Sequence, residues 1–177
     1  PLRGALATKQ SLTDMGLPRY AGNDDSRGRD STVITIAEVA SSSAPSPFTG
    51  EGWGEVKVVE QYQWTGTPHS QLYTQITEIL KNVWHCRRIV VDATGIGQPI
   101  ASFLRKELGS RIVPFTFTQK SKSDMGFELL SFINSGRLHI YRQDGSNEYK
   151  ELTSQLEKAR SQYRPNQTMN FYVDPLE

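Results

Sequence analysis

Only one cysteine, Cys86, stands in 177 residues. The chain therefore has no internal disulfide, and a single thiol suits a reducing cytoplasm. Its neighbours are Trp84, His85 and Arg87, with no second cysteine and no histidine at finger-like spacing. A zinc finger is excluded, and a partly buried structural thiol is the simplest reading. His69, His85 and His139 are scattered and carry no ligand spacing. No apolar run approaches the roughly 20 residues needed to cross a bilayer, and the first residues lack the charged, apolar and small-residue succession of a signal peptide. No Gly-x-x-x-x-Gly-Lys-Ser/Thr occurs, so the phosphate-cradling loop of that type is missing. Charge of one sign is missing too. With 20 basic and 19 acidic residues the net charge is +1, so any contact with a polyanion has to come from local clustering.

What remains is a composition of 36% hydrophobic residues in a length suited to one domain, able to bury roughly 70% of its unfolded surface without staples. Residues 1–18 show no clean period and read as a linker or the end of a preceding segment, which leaves a domain over 19–177. Arg19 to Asp25 (RYAGNDD) reads as a strand entering the turn SRGRD. Ser31 to Ala40 (STVITIAEVA) is β-branched and alternating, as a strand requires. The Ser/Pro/Gly-rich stretch from Ser41 to Gly54 predicts a mobile loop outside the core, with Phe48 and Trp53 as its possible contact residues. Glu55 to Trp64 alternates again. Leu72, Ile76, Ile79, Leu80 and Val83 then recur at helical spacing, with Thr67 as N-cap and Pro68 in the first turn. Arg87 to Ala93 (RRIVVDA) is a short apolar strand of the kind buried in parallel sheets. Ile100, Phe103, Leu104 and Leu108 predict a helix ended by Gly109, and Arg111 to Thr118 a strand. Met125 to Asn134 reads as a helix stopped by Gly136, Leu138 to Tyr141 as a strand, Tyr149 to Tyr163 as a polar helix, and Met169 to Val173 as a last strand. The expected fold is α/β: a mixed sheet made of an antiparallel three-strand meander plus parallel strands, with helices on both faces.

Two carboxylates focus the chemistry. Asp92 ends an apolar strand and is followed by ATGIGQP, which places it at the C-terminal edge of the sheet, where open α/β folds hold ligands. A dinucleotide loop is excluded, because Ile100 stands where the third glycine belongs and no acid ends a following strand near the expected ribose position. Alone, Asp92 is also explained as a cap on the turn. Asp24, in the first expected strand, supplies a partner: a meander followed by a right-handed crossover puts the fourth strand beside the first, about 4.8 Å away. Adjacent carboxylates repel unless a proton or cation lies between them. Hard oxygen ligands select Mg²⁺ or Mn²⁺, and two such ions roughly 3.5–4 Å apart stabilise the attacking and leaving oxygens of an in-line phosphodiester displacement.

The segments YAGNDDSRGRDSTVITIAEV, VVDATGIGQPIASFLRKEL and FTFTQKSKSDMGFELLSFINSGRLHIY together resemble the C-terminal nuclease domain of bacteriophage terminase large subunits, over nearly all of Arg19 to Pro175. The resemblance implies a ribonuclease H-like fold and a metal-dependent endonuclease that cuts double-stranded viral concatemer DNA in the host cytoplasm. Asp24 and Asp92 would be its catalytic, metal-binding acids. It also implies an ATPase domain in the same full-length chain, and a small terminase subunit and a portal as partners. Asn23 departs from the family, which usually has an aliphatic residue there. The family's third acid lies in a His-Asp-Asp stretch after the last strand, which is not among these residues, so weak metal binding and little cleavage are expected of this chain alone. Asp30 is a candidate accessory acid or a turn cap, and Asp174 a candidate third ligand or simply part of a Val-Asp-Pro turn. Lys120, Lys122, Arg27 and Arg29 are candidates to hold DNA phosphates around the acids, against the ordinary reading of solvated surface charge. Two other readings keep the fold: a RuvC-like resolvase or related nuclease, and a non-catalytic DNA-gripping module.

Overall fold

The computed structural model of the chain describes residues 2–10, 31–41, 53–67, 69–95 and 97–173. Three antiparallel strands begin the fold: β1 (Leu2–Gln10), β2 (Ser31–Ser41) and β3 (Trp53–Thr65). Three shorter strands join in parallel, β4 (Arg88–Asp92) on β1, β5 (Ile112–Phe115) on β4 and β6 (Leu138–His139) on β3. The resulting sheet has the order β5-β4-β1-β2-β3-β6. A second sheet, of β7 (Ala159–Tyr163) and β8 (Met169–Val173), stands apart from it.

The meander and the return of the fourth strand to the side of the first are as the sequence predicts, but the first strand is a different segment. Leu2–Gln10 fills the place expected of Arg19 to Asp25, so residues 1–18 are not simply a linker. Arg19 to Asp25 and the turn after it lie outside the described residues. With Gly4, Ala5 and Ala7, β1 carries little intrinsic strand preference. Its pairing supplies the reason: β2 pairs with it from Leu2↔Val39 to Gln10↔Ser31, and β4 from Gly4↔Arg88 to Ala7↔Val91. Backbone ladders, here along the whole β2 edge and over residues 4–7 on the β4 edge, hold a segment in strand form despite a weak propensity.

One face of the sheet packs on two helices, α1 (His69–Glu78) and α2 (Gly97–Leu108). The i, i+4, i+8 residues Leu72, Ile76 and Leu80 are buried against Ile34 and Ile36 of β2, Ile89 and Val91 of β4, and Leu104 and Leu108 of α2. The last turn before β4 widens to a π-helix over Ile79–Val83. There the Trp84 N–H donates to the Ile79 carbonyl at 3.0 Å and the Cys86 N–H to that of Leu80 at 2.8 Å. Leu80 and Cys86 thereby both reach the core, where each is fully buried.

Helix α3 (Gln119–Asn134) starts earlier than the apolar spacing suggests, because its first turn is polar and fixed by capping. The Thr118 side chain accepts from the Ser121 N–H, and Ser121 Oγ accepts from the Thr118 N–H at 2.8 Å. Helix α4 (Asn147–Lys158) ends sooner than expected, and the chain goes straight into β7. The expected last strand, β8, therefore pairs with β7, from Ala159↔Val173 to Tyr163↔Met169, rather than with the main sheet. A two-stranded ribbon is marginal alone, and α3 supports this one. Gly126 leaves room for the Met169 sulfur and the Phe171 ring, and the buried Ser123 Oγ accepts the Met169 N–H at 2.9 Å. The long loop expected from Ser41 to Gly54 is shorter at both ends, because Ser41 ends β2 and pairs with Trp53, which with Gly54 belongs to β3; residues 42–52, Phe48 among them, lie outside the described residues.

Replacing Ser123 with alanine leaves a buried backbone N–H without its acceptor. The expected cost is about 1–3 kcal/mol, measured by urea unfolding. Ser121→Ala, which opens only an exposed cap, should cost about 1 kcal/mol. Equal, negligible effects would show that Ser123 does not anchor the ribbon.

Candidate active site

Along β4 the side chains alternate. Ile89 and Val91 are buried on the helix-covered face, while Val90 and Asp92 are half-buried on the other. Asp92 is the last residue of the strand and is flanked by β5 at Asp92↔Phe115. Its carboxylate thus emerges at the C-terminal edge of the parallel strands, as the sequence predicts.

The turn after it is tightly determined. Asp92 Oδ1 accepts the Thr94 N–H at 2.8 Å, a local Asx-type closure. Thr94 Oγ1 in turn accepts the Phe117 N–H at 2.9 Å, and the Ala93 N–H donates to the Phe115 carbonyl at 2.8 Å. Gly95 has φ +54°, a left-handed conformation that glycine adopts without strain. Gly97 begins α2 directly against the end of β4. A Cβ built there would fall onto the Asp92 carbonyl oxygen, with the carbonyl carbon at 3.0 Å. The two glycines, whose spacing alone would suggest a dinucleotide loop, serve instead to fold α2 back over the strand end. One carboxylate oxygen, Oδ1, is committed to the turn. Oδ2 makes no hydrogen bond or ion pair among the described residues, which leaves a hard oxygen donor of the kind Mg²⁺ and Mn²⁺ prefer.

The first turn of α3 follows β5 at this same edge and brings two of the expected basic residues there. Lys120 Nζ pairs with Asp124 Oδ2 at 2.6 Å, with 84% and 55% of the two side chains exposed. A pair so solvated holds its lysine weakly. Lys122 Nζ lies 5.1 Å from the centroid of the Phe171 ring, a cation–π contact with β8. Asp24, Asp30 and Asp174, and likewise Arg27 and Arg29, lie outside the described residues. Among the described residues no group of three or more His, Cys, Asp or Glu side chains is placed to hold a metal, so Asp92 is the only expected acid whose position is given.

Thr94 was missed by the sequence reading, although it links the carboxylate turn to α3. Its one signal is its place two residues after a strand-ending aspartate, the spacing of an Asx turn. The β7–β8 ribbon was missed as well. Its signal was the turn-prone RPNQT between ARSQY and MNFYV, closed by the Arg164 N–H donating to the Thr168 carbonyl at 2.9 Å.

A mixed sheet with antiparallel β1–β2–β3 and parallel β4 and β5 defines a ribonuclease H-like fold. The chain belongs to the terminase RNaseH-like domain family, whose model matches residues 24–168. The crystal structure of the HK97 bacteriophage large terminase superposes with a TM-score of 0.53 at 14% sequence identity, over 97% of this chain and 36% of that one. The chain therefore spans about a third of that terminase's length. No curated protein matches.

Gly97→Ala should be costly where most helix glycines gain from alanine. The added methyl has only backbone to displace, so a loss of about 2–3 kcal/mol is expected, read as a lowered Tm. Gly95→Ala, with open space around it but positive φ, should cost about 1 kcal/mol. A Gly97→Ala protein as stable as the parent would disprove the close packing of α2 on the end of β4.

Proposed function

We propose that this chain is the nuclease domain of a phage DNA-packaging terminase large subunit and cuts double-stranded DNA by metal-dependent phosphodiester hydrolysis. The observation that carries the proposal is the position of Asp92: the terminal residue of a parallel strand in a ribonuclease H-like sheet, with one carboxylate oxygen fixed by the turn and the other without a partner among the described residues. Membership of the terminase family supports the same reading.

Asp92 would hold the divalent ion together with Asp24, a pairing that rests on the family resemblance alone now that Leu2–Gln10 is the strand beside β4, and Asp30 or Asp174 are candidates for a further ligand. When bound, a pair of Mg²⁺ or Mn²⁺ ions supplies activation of water and neutralisation of charge on the phosphate. This chain's own residues orient and hold. The Thr94 N–H fixes the rotamer of Asp92, so its Oδ2 is presented in one direction. Lys122 and Lys120, with Arg27 and Arg29, would hold phosphates beside the acids. By family analogy an ATPase domain in the full-length chain, the small terminase subunit and the portal are the partners, and the work is done in the host cytoplasm at the procapsid.

Asp92→Asn separates chemistry from folding, because an asparagine Oδ1 still accepts the Thr94 N–H. Its stability should stay within about 1 kcal/mol of the parent, while in the full-length subunit, which supplies the family's third acid, Mn²⁺-dependent nicking of supercoiled plasmid, itself suppressed by EDTA, should disappear. An Asp92→Asn protein that nicks as fast as the parent would sink the assignment. Duplex binding without cutting at any Mn²⁺ concentration would instead favour a DNA-gripping module of the same fold.

A further inference from the structure

We propose that the sheet edge opposite Asp92, where β4 and β5 begin, docks a partner protein through an acidic surface that also carries an apolar side chain. The inference is independent of the nuclease reading. Two connections meet at that edge. The π-helical turn and residues 84–87 lead into β4, and the last turn of α2 with Gly109–Arg111 leads into β5. They bring Lys81, Arg87, Arg88, Arg105, Lys106 and Arg111 together, against two acids, Glu78 and Glu107. Six of the chain's 20 basic residues thus stand at one edge of a chain whose net charge is only +1. Glu78 is already engaged, accepting from Asn82 Nδ2 at 2.6 Å. Among the described residues Lys81, Arg87, Arg105 and Lys106 have no carboxylate partner, and all four are exposed. Solvated cations are ordinary singly. Gathered with one sign on one edge, they set up a field that favours an anionic partner.

Val83 decides which kind of anion fits. It ends the π-helical turn, two residues after Lys81, and is 55% exposed. A phosphate backbone offers nothing to bury it, whereas a protein interface sets arginines around a buried apolar centre. Distance points the same way. The length of β4 puts about 13 Å of strand between this edge and Asp92, so a duplex held here would lie away from the candidate carboxylate.

The edge is also fixed in advance. Leu80 and Cys86, on either side of Val83, are fully buried, and the Cys86 N–H closes the turn on the Leu80 carbonyl. Arg111 braces the two connections together, with Nε donating to the Leu108 carbonyl at 3.1 Å and Nη1 to that of Cys86 at 3.5 Å. Between them His85 takes φ +49°, a left-handed conformation that persists in a side-chain-bearing residue where its surroundings hold it. A surface ordered before it binds loses little freedom on docking.

The test is fluorescence anisotropy with two labelled peptides, one of alternating glutamate and glycine, the other with leucine at every second glycine. The parent should bind the leucine peptide about tenfold more tightly than the glycine one. Lys81→Glu combined with Arg87→Glu should weaken both by about tenfold or more. Val83→Ser should remove most of the leucine peptide's advantage and leave the glycine peptide within about twofold. Arg160→Glu, the same kind of charge change on the distant β7, should leave both within about twofold. All of these side chains are exposed, so each variant should keep the parent's Tm. Binding that ignores the Lys81 and Arg87 exchange, or falls equally with Arg160→Glu, would overturn the proposal. A labelled duplex that displaces the leucine peptide and is itself lost with Lys81→Glu and Arg87→Glu would overturn it too, by showing a nucleic-acid surface in its place.

Discussion

Where β4 stops, three separate demands on the backbone are met within six residues, and the rest of the candidate site hangs on how they are met. The strand has to end so that Asp92 clears its neighbours, the chain has to reverse, and α2 has to begin close enough to bury Ala101, Leu104 and Leu108 against Ile89 and Val91. Gly97 makes the reversal possible, since any side chain there would meet the carbonyl of Asp92. The Asp92 carboxylate closes the turn from inside through Thr94. The residue best placed for chemistry is thus also a structural cap. The two roles coexist because a carboxylate has two oxygens and the turn uses one.

Thr94 carries the consequence onward. Through its hydroxyl the turn is bound to Phe117, one residue before the Thr118 cap that starts α3, and through Ser123 the helix is bound to β8. Carboxylate, lysine-bearing helix turn and ribbon are therefore linked by short polar contacts rather than by loose loops. A site that must place a phosphate relative to an acid within fractions of an ångström gains from that stiffness.

Much of this was legible in the residues, and what was not has physical reasons. The β-branched alternation of STVITIAEVA and the apolar run before Asp92 mark strands whose own side chains bury, and both were found. The spacing of Leu72, Ile76 and Leu80 marked α1 in the same way. Leu2–Gln10 could not be read, because its strand character comes from two flanking ladders that no local pattern records. The first turn of α3 was hidden for a related reason: QKSKSD has no apolar period, and its helicity begins with the reciprocal bonds of Thr118 and Ser121. At Ala159 the backbone changes from helix to strand with no glycine, proline or apolar mark, so helix and strand were run together up to Tyr163. Asp92 was visible as the end of an apolar strand, whereas its tie to α3 joins residues 23 positions apart and is a property of the fold alone.

Electrostatics sets a last constraint on such a site. Carboxylates gathered to hold divalent ions repel the phosphates they are meant to act on, so positive charge has to lie beside the acids and not among them. A chain with 20 basic and 19 acidic residues has no general surplus to draw on, and the attraction must be built by sorting charge within the sequence. Lys120 and Lys122 are such a local grouping, in the first turn of α3, which follows the strand β5 that pairs with β4 at Asp92. Screening confines its reach to about 10 Å at ordinary salt. A contact of that range leaves the duplex loosely held along its length, and it is the fixed geometry of α3 and Thr94, more than strength of binding, that would bring a phosphate to the carboxylate.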